Sequence, residues 1–293
     1  MEINICFGID NNFCQHCGVT IASILLNSNP EDNYNINIIT DYISQENIKA
    51  LESLKRIRPF ELHVHTISID EYKKLNYNAR LGIATFYRWK AFEVLDYDKV
   101  LYLDSDIIVR RDIAELYKTD IDGYFCAGAE DIIAPAMINE LKMEKNSLYI
   151  NAGVMLINLD YARTNNSAEK FIKFLNNPWE RECHDQEILN YLFQGEIKYF
   201  DITWNCMIGY VNYYDKKHYN EVCKNPAIVH FITDKKPWIP GTAPAYKTQY
   251  FMYLKYTPWF QDYMLAYQLE EQSLILKKLN DLNAKIDNMT RNK

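Results

Sequence analysis

The sequence predicts an α/β fold: a mostly parallel central sheet with helices on both faces. Three observations lead there. Short apolar runs alternate with segments whose apolar residues recur at helical spacing, the pattern of strand–helix–strand units. Polar clusters stand directly after two of those runs, Asp10-Asn11-Asn12 and Asp104-Ser105-Asp106, and sheets of this kind bind ligands beyond the carboxyl ends of their strands. The chain has 293 residues, 48% of them hydrophobic and 24% charged, which is length and composition enough for a full core.

Taken in order, Ile3–Ile9 reads as a first strand that ends at the Asp10 cluster. Cys14–Asn27 carries Val19, Ile21, Ile24 and Leu25 at helical spacing and stops at Asn27-Ser28-Asn29-Pro30, a breaker cluster. Tyr34–Thr40 is a second strand. Ser44 suits the N-cap of a helix running to about Arg56, with Asn47 where a capping-box glutamate would stand. Leu62–Ile67 is a third strand, along which His63 and His65 alternate and are expected to face solvent. Ala84–Leu95 reads as helix, and Lys99–Leu103 as a strand ending in acid.

The chain divides into a main domain, 1–245, and an extension, 246–293, with a helical tail. Tyr246–Tyr267 is rich in aromatics with a few lysines, a composition that suits a membrane surface. Further on, Ile275, Leu279, Leu282, Ile286 and Met289 alternate steps of four and three, a heptad seam. Such a helix either packs on its own domain or pairs with another copy in a homo-oligomer.

Bulk properties exclude several classes. A formal net charge of −7 is the wrong sign for a nucleic-acid binder. The first residues have no basic region and no long apolar run, so they read as a strand and not a signal peptide; no apolar stretch approaches a spanning helix. Seven scattered cysteines suit a reducing compartment, so the expected location is the cytoplasm or the inner face of its membrane. Cys14-Gln15-His16-Cys17 resembles half a zinc site, but no second pair lies at matching distance, and the cysteines read as structural. Twenty-three tyrosines fit half-buried strand positions, with sugar-stacking surfaces as the alternative.

The strongest chemical signal is Val100-Leu101-Tyr102-Leu103-Asp104-Ser105-Asp106. A buried strand delivers two carboxylates to its solvent end, and residues one apart on an extended segment point the same way. A hard cation such as Mn²⁺ or Mg²⁺ prefers these oxygens and is readily shared with substrate phosphates. Two other readings stand beside it. One is a solvated turn. The other is a phosphatase of the haloacid dehalogenase superfamily, whose pattern wants Thr or Val where Ile108 stands.

Six segments in order make the chain similar to glycosyltransferase family 8. They are Phe7-Gly8-Ile9-Asp10-Asn11-Asn12; Thr85-Phe86-Tyr87-Arg88; Leu101 through Asp106; Asn151-Ala152-Gly153-Val154-Met155-Leu156-Ile157-Asn158; His184-Asp185-Gln186-Glu187-Ile188-Leu189-Asn190; and His230 through Lys236-Pro237-Trp238. The resemblance covers roughly residues 1–245. It implies a GT-A type, Rossmann-like nucleotide-diphospho-sugar transferase. Such an enzyme is retaining and metal-dependent, and takes UDP-glucose or UDP-galactose with Mn²⁺.

The same resemblance assigns roles. His230 becomes the third metal ligand beside Asp104 and Asp106, through a neutral imidazole. Gly8, Asp10 and Asn12 lie where uracil and ribose would bind, although Asp10 could equally cap a helix. Arg88 contacts either phosphate or one of the acids. Ser105, Asp131, Asn151 and Ala152 contact the donor, with Glu130 as a competitor to Asp131; Lys236 meets the diphosphate. Thr233 stands where many relatives carry glycine, which leaves the path of that loop open, though its amide or hydroxyl could still contact phosphate. Asp185 and Gln186 lie beside the anomeric carbon, Asp185 positioning the sugar and Gln186 stabilising developing charge.

The expected acceptor is a growing glycan on lipid or protein, held by segments between Leu192 and Trp238. Trp204-Asn205 belongs either to that wall or to the core. Two alternatives to this enzyme are a self-glycosylating primer of the glycogenin sort and a non-enzymatic sugar-nucleotide-binding module.

Overall fold

The structure is a computed structural model that describes residues 1–70, 83–176, 184–209 and 224–291. Residues 210–223, part of the expected acceptor wall, lie outside the described residues.

Among the described residues, ten strands form two sheets. In chain order they are β1 (Glu2–Gly8), β2 (Asn33–Thr40), β3 (Glu61–Thr66), β4 (Lys99–Leu103), β5 (Ile107–Val109), β6 (Cys126–Glu130), β7 (Ile150–Asn158), β8 (Ile197–Tyr199), β9 (Cys206–Met207) and β10 (Ile228–His230). The main sheet has the order β3-β2-β1-β4-β7-β6-β8. Its first four strands are parallel. β7 runs against both neighbours, with Leu101 opposite Leu156. A small second sheet, β5-β10-β9, stands beside it.

Helices α1 (Cys14–Leu26), α2 (Gln45–Glu52), α3 (Ala91–Val94), α4 (Ala114–Tyr117), α5 (Ala134–Glu140), α6 (Leu159–Thr164), α7 (Ser167–Asn176) and α8 (Asp185–Leu192) connect the strands. Two more follow, Lys247–Leu254 and the 32-residue Phe260–Arg291.

The two faces of the main sheet carry separate cores, and alternation along each strand assigns residues to them. Ile3, Ile5, Phe7, Leu101, Leu103, Val154 and Leu156 face one core, together with α1 residues such as Ile21 and Ile24. Cys6, Val100, Tyr102, Met155 and Ile157 face the other, with Phe92, Phe125 and Phe193. Strands buried on both sides read as continuous apolar runs and not as alternation, which is why Val100–Leu103 is apolar throughout.

The predicted elements hold with local differences. Ser44 caps α2 by accepting from the Asn47 amide at 3.2 Å. Asn47 turns its own amide to Asn11 instead of completing a capping box. Residues Ile83–Lys90 form a 3-10 helix, and only Ala91–Val94 is α-helical. Phe86, Tyr87, Arg88 and Trp89 are all buried, so no single stripe is available for an α-helix to bury. His63 is exposed, but His65 is half-buried and its Nε2 lies 3.0 Å from Asn37 Oδ1; the expectation that both face solvent holds only for His63. Cys14 and Cys17 are buried free cysteines.

The residues beyond 245 share in the packing. Tyr250 and Leu254 lie in a third core with Val19, Ile108, Val229 and Phe231. Tyr267 is buried as well, while the heptad seam residues beyond it are exposed. Among the described residues no helix is long and apolar enough to cross a membrane.

Candidate active site

Topology gathers the site. β1 and β4 are parallel neighbours, with Ile5 beside Leu101 and Cys6 beside Tyr102, so the Asp10 and Asp104 turns leave the same edge of the sheet. β7 runs the other way and therefore begins where β4 ends. The Asp104 amide donates to the Gly153 carbonyl at 2.7 Å, which sets Asn151-Ala152-Gly153 against the acidic turn. β10 pairs antiparallel with β5, placing His230 opposite Ile107, one residue beyond Asp106.

Asp104, Asp106 and His230 consequently converge, each offering a ligand atom within 4.8 Å of the others. His230 Nε2 lies 3.1 Å from Asp106 Oδ1 and 3.8 Å from Asp104 Oδ2. The other ring nitrogen, Nδ1, lies 2.9 Å from Asn205 Oδ1. An amide oxygen only accepts, so Nδ1 carries a proton, and the Nε2 of a neutral ring would turn its lone pair toward the carboxylates. Asp106 Oδ1 is buried without a hydrogen-bond partner. Lone pairs facing one another over a buried carboxylate oxygen fit a divalent cation.

The cradle admits no side chain from β7. A Cβ on Gly153 would come within 2.2 Å of His230 Cε1 and 2.8 Å of Asp104 Oδ2.

Cations already line this acidic centre. Lys236 Nζ reaches Asp106 Oδ2 at 2.5 Å and also donates to the Phe231 carbonyl. Burial alone would raise the Asp106 carboxyl; the Lys236 ammonium leads the groups that instead hold it well below the usual carboxylate range. Arg88 is buried, with Nη2 3.1 Å from Asp104 Oδ1 and Nε 2.8 Å from Asp185 Oδ2. It also donates to the Ala152 carbonyl and lies over the Tyr102 ring, 4.6 Å from its centroid. Tyr102 OH donates to Asp104 Oδ1 at 3.1 Å. Burial raises the Asp185 carboxyl and Arg88 opposes the rise.

A second network, of one carboxylate and several side-chain amides, lies alongside. Asp131 Oδ2 accepts from Asn151 Nδ2 and from Gln186 Nε2, both at 3.0 Å. Gln186 Oε1 accepts from the Ala152 amide at 3.0 Å. Asn151 Oδ1 accepts from Asn205 Nδ2 at 2.9 Å and from the Gly153 amide at 3.1 Å. Asp131, Asn151 and Gln186, predicted separately from distant segments, are thus one cluster. Both backbone groups of Ala152 bond within the protein.

The residues expected on the nucleotide side are placed more loosely. Asp10 Oδ1 accepts from the Asn12 and Phe13 amides at 2.8 and 3.1 Å, the helix-capping role noted for it. Asn12 is exposed, and Phe13 beside it is 40% exposed. Gly8 lies against Tyr87 and Tyr102, where a Cβ would meet Tyr87 Cβ at 3.0 Å. Ser105 is buried in the acidic turn, and its carbonyl accepts from Thr20 Oγ1. Glu130 is exposed on β6.

The loop carrying Lys236 has a clear path. Thr233 packs on Gly209, whose φ is +127° and where a Cβ would lie 2.4 Å from Thr233 Cγ2. The methyl group occupies the space left by that glycine. Trp238 stacks on His16 with ring centroids 3.8 Å apart.

Residues that sequence reasoning gave no role at the site are Asn205 and Tyr102; Gly153 stood only within the small-residue stretch after Asn151. Asn205 was left between wall and core; it is fully buried and bonds both His230 and Asn151. No local signal marks it, because its partners are 25 and 54 positions away.

Comparison with known proteins follows this geometry. The family model described as Glycosyl transferase family 8 matches residues 4–240. The chain is 34% identical over 282 residues to the lipopolysaccharide 1,3-galactosyltransferase of Salmonella typhimurium, covering 88% of this chain and 79% of that protein. It is 28% identical over 265 residues to general stress protein A of Bacillus subtilis, covering 85% and 92%. Among solved structures, the galactosyltransferase LgtC in complex with donor and acceptor sugar analogues superposes with a TM-score of 0.74 at 23% identity, covering 87% and 96%; that likeness concerns the fold.

Proposed function

The chain belongs to glycosyl transferase family 8, and from that premise we propose that it is a retaining hexosyltransferase. It moves glucose or galactose from a UDP-sugar to a glycan acceptor on lipid or protein, with Mn²⁺ or Mg²⁺ in the site. The observation that carries this reading is the convergence of Asp104, Asp106 and His230 beside Lys236 and the Asp131–Asn151–Gln186 cluster.

Asp104, Asp106 and His230 would hold the cation, whose chemistry is to neutralise the departing diphosphate as a Lewis acid. Lys236 adds a compact positive charge at the same place. Asp10 and Asn12 meet ribose and uracil edges, and the exposed Phe13 ring offers a face for the base. Arg88 organises the floor by holding Asp104 and Asp185 together; burial leaves it little else to reach. Asp131, Asn151 and Gln186 hold the hexose.

Retention needs either a carboxylate nucleophile or front-face attack. The nearby carboxylates are poorly placed to act as nucleophiles. Asp185 is buried against Arg88, and Asp131 is buried under two side-chain amides. We therefore favour the front face. The bond from the anomeric carbon to the diphosphate oxygen breaks, its electron pair leaving with UDP. The acceptor hydroxyl bonds to the same face, and its proton passes to a leaving diphosphate oxygen. Gln186 Oε1 stabilises the positive charge that develops between these events.

A panel of UDP-sugars with Mn²⁺, read by released UDP and repeated with EDTA, tests the reading. Turnover confined to UDP-hexoses and lost with chelator is the expected result; no UDP release from any hexose donor overturns it. Gln186→Ala should lower kcat by about a hundredfold or more while UDP binding stays near normal, the pattern of a group acting in the transition state. A hexose ladder on the protein's own mass would redirect the acceptor assignment to self-glycosylation. The aromatic Tyr246–Tyr267 segment lends little support to membrane contact, because Tyr250 and Tyr267 face the protein.

A further inference from the structure

The helix Phe260–Arg291 has two apolar stripes on different sides. One faces its own domain: Phe260, Tyr263 and Met264 pack on the third core, and Tyr267 is buried. Tyr263 OH donates to the Trp238 carbonyl at 2.6 Å, and Glu271 accepts from the Gly241 amide at 2.9 Å. The other stripe is exposed. Leu265, Leu269, Ile275, Leu276, Leu279 and Leu282 are each at least 50% exposed, and Ile286 and Met289 continue the row. From Ile275 onward the steps are four, three, four and three, the spacing that keeps a seam facing a second helix.

We propose that this second stripe is an interface with another copy of the chain, formed as a parallel two-stranded coiled coil. Charge selects the partner's direction. Lys278 and Lys285 both flank the seam on the same side. In an antiparallel pair that aligns Leu279 with Leu282, Lys278 would stand beside the partner's Lys285, and like charges there oppose pairing. In a parallel pair Lys278 lies across from the partner's Asn283, and each seam residue meets its own counterpart.

The area sets the strength. From Leu265 to Met289 the stripe is about 36 Å long at about 1.5 Å per residue. With a strip about 10 Å wide on each helix, the pair covers about 700 Å². That is below the roughly 1,200 Å² of stable complexes, so the dimer is dissociable and concentration-dependent.

Sedimentation of the full chain between about 1 and 100 µM tests this. Monomer passing to dimer across that range is expected. The double variant Leu279→Asp with Leu282→Asp should remain monomeric with unchanged thermal unfolding, since both side chains are exposed. A second measurement is independent of that variant's folding: under mild oxidant Leu282→Cys should cross-link to its own copy, beyond any background in the parent protein. Several outcomes overturn the proposal. These are monomer throughout, a dimer that survives the double substitution, or cross-linking only between Leu279→Cys and Leu282→Cys. Seam-dependent binding of the monomer to phosphatidylglycerol vesicles would assign the stripe to lipid instead.

Discussion

Asn205 joins the two halves of the site with the two ends of one amide. Its oxygen fixes the proton on His230 Nδ1 and its nitrogen holds Asn151. Groups that orient a metal-bound imidazole are worth about 10- to 100-fold in metal affinity. Asn205→Ala should therefore weaken Mn²⁺ binding, measured by electron paramagnetic resonance without sugar, by about that factor. Asn205→Asp keeps the acceptor and should recover much of it. Unchanged Mn²⁺ affinity in folded Asn205→Ala would remove the positioning role. The contrast with Asp104 and Asp106 shows what sequence can reveal at this scale. Those acids stand out as a charged pair at the end of an apolar run, although a solvated turn would read the same until the other motifs are set beside it. Asn205 and Gly153 work through contacts with distant segments, and a lone Asn or Gly carries no such mark. His230 was legible only through the family resemblance, which its spacing to Lys236-Pro237-Trp238 helps to carry.

At the scale of elements, the strands were readable as short continuous apolar runs because both faces of the sheet meet a core. The direction of β7 was not, since an apolar run is the same in either sense. That reversal matters, for it brings Asn151 to the same edge as Asp104. Helix α1 shows a second kind of hidden constraint. Its His16 is buried, stacks on Trp238 and lies 2.6 Å from Tyr250 OH. Burial, above all, lowers its pKa to about 3 from an ordinary 6.5, with Lys236 acting in the same direction and Asp106 opposing. The folded protein thus keeps His16 neutral while the unfolded chain takes up a proton below about pH 6.5. Stability linked to His16 is complete above that pH and falls as pH drops toward about 3. At pH 5 the loss is about 2 kcal/mol, from about 1.4 kcal/mol per pH unit. Urea unfolding at pH 7 and pH 5 should show a drop in the parent protein that is smaller by about this amount in His16→Asn. Equal drops in both proteins would mean that His16 is not the responsible group.

For the whole molecule, the question is how much of the extension the catalytic body needs. β10 carries His230, and its neighbours Val229 and Phe231 pack in the same core as Tyr250 and Leu254. The Lys247–Leu254 helix also lies against α1 through the His16–Tyr250 contact and an Asn27 Nδ2 to Tyr253 OH bond of 2.9 Å. Ending the chain at residue 245 would uncover both flanks of His230, the proposed metal ligand, and remove a buried aromatic and a buried leucine. Substitutions of that kind cost about 2 to 5 kcal/mol each, comparable to the whole stability of an ordinary domain. Ending it at residue 274 removes only helix whose seam residues are exposed, and keeps the Tyr263 bond to the loop that bears Lys236. The shorter deletion should leave Mn²⁺ affinity and thermal unfolding close to those of the full chain. The longer one should lose cooperative unfolding and metal binding together. The two losses must coincide, because one core supports both the fold and β10; a 1–245 protein that unfolds cooperatively and still binds Mn²⁺ would show that the extension is dispensable to the site.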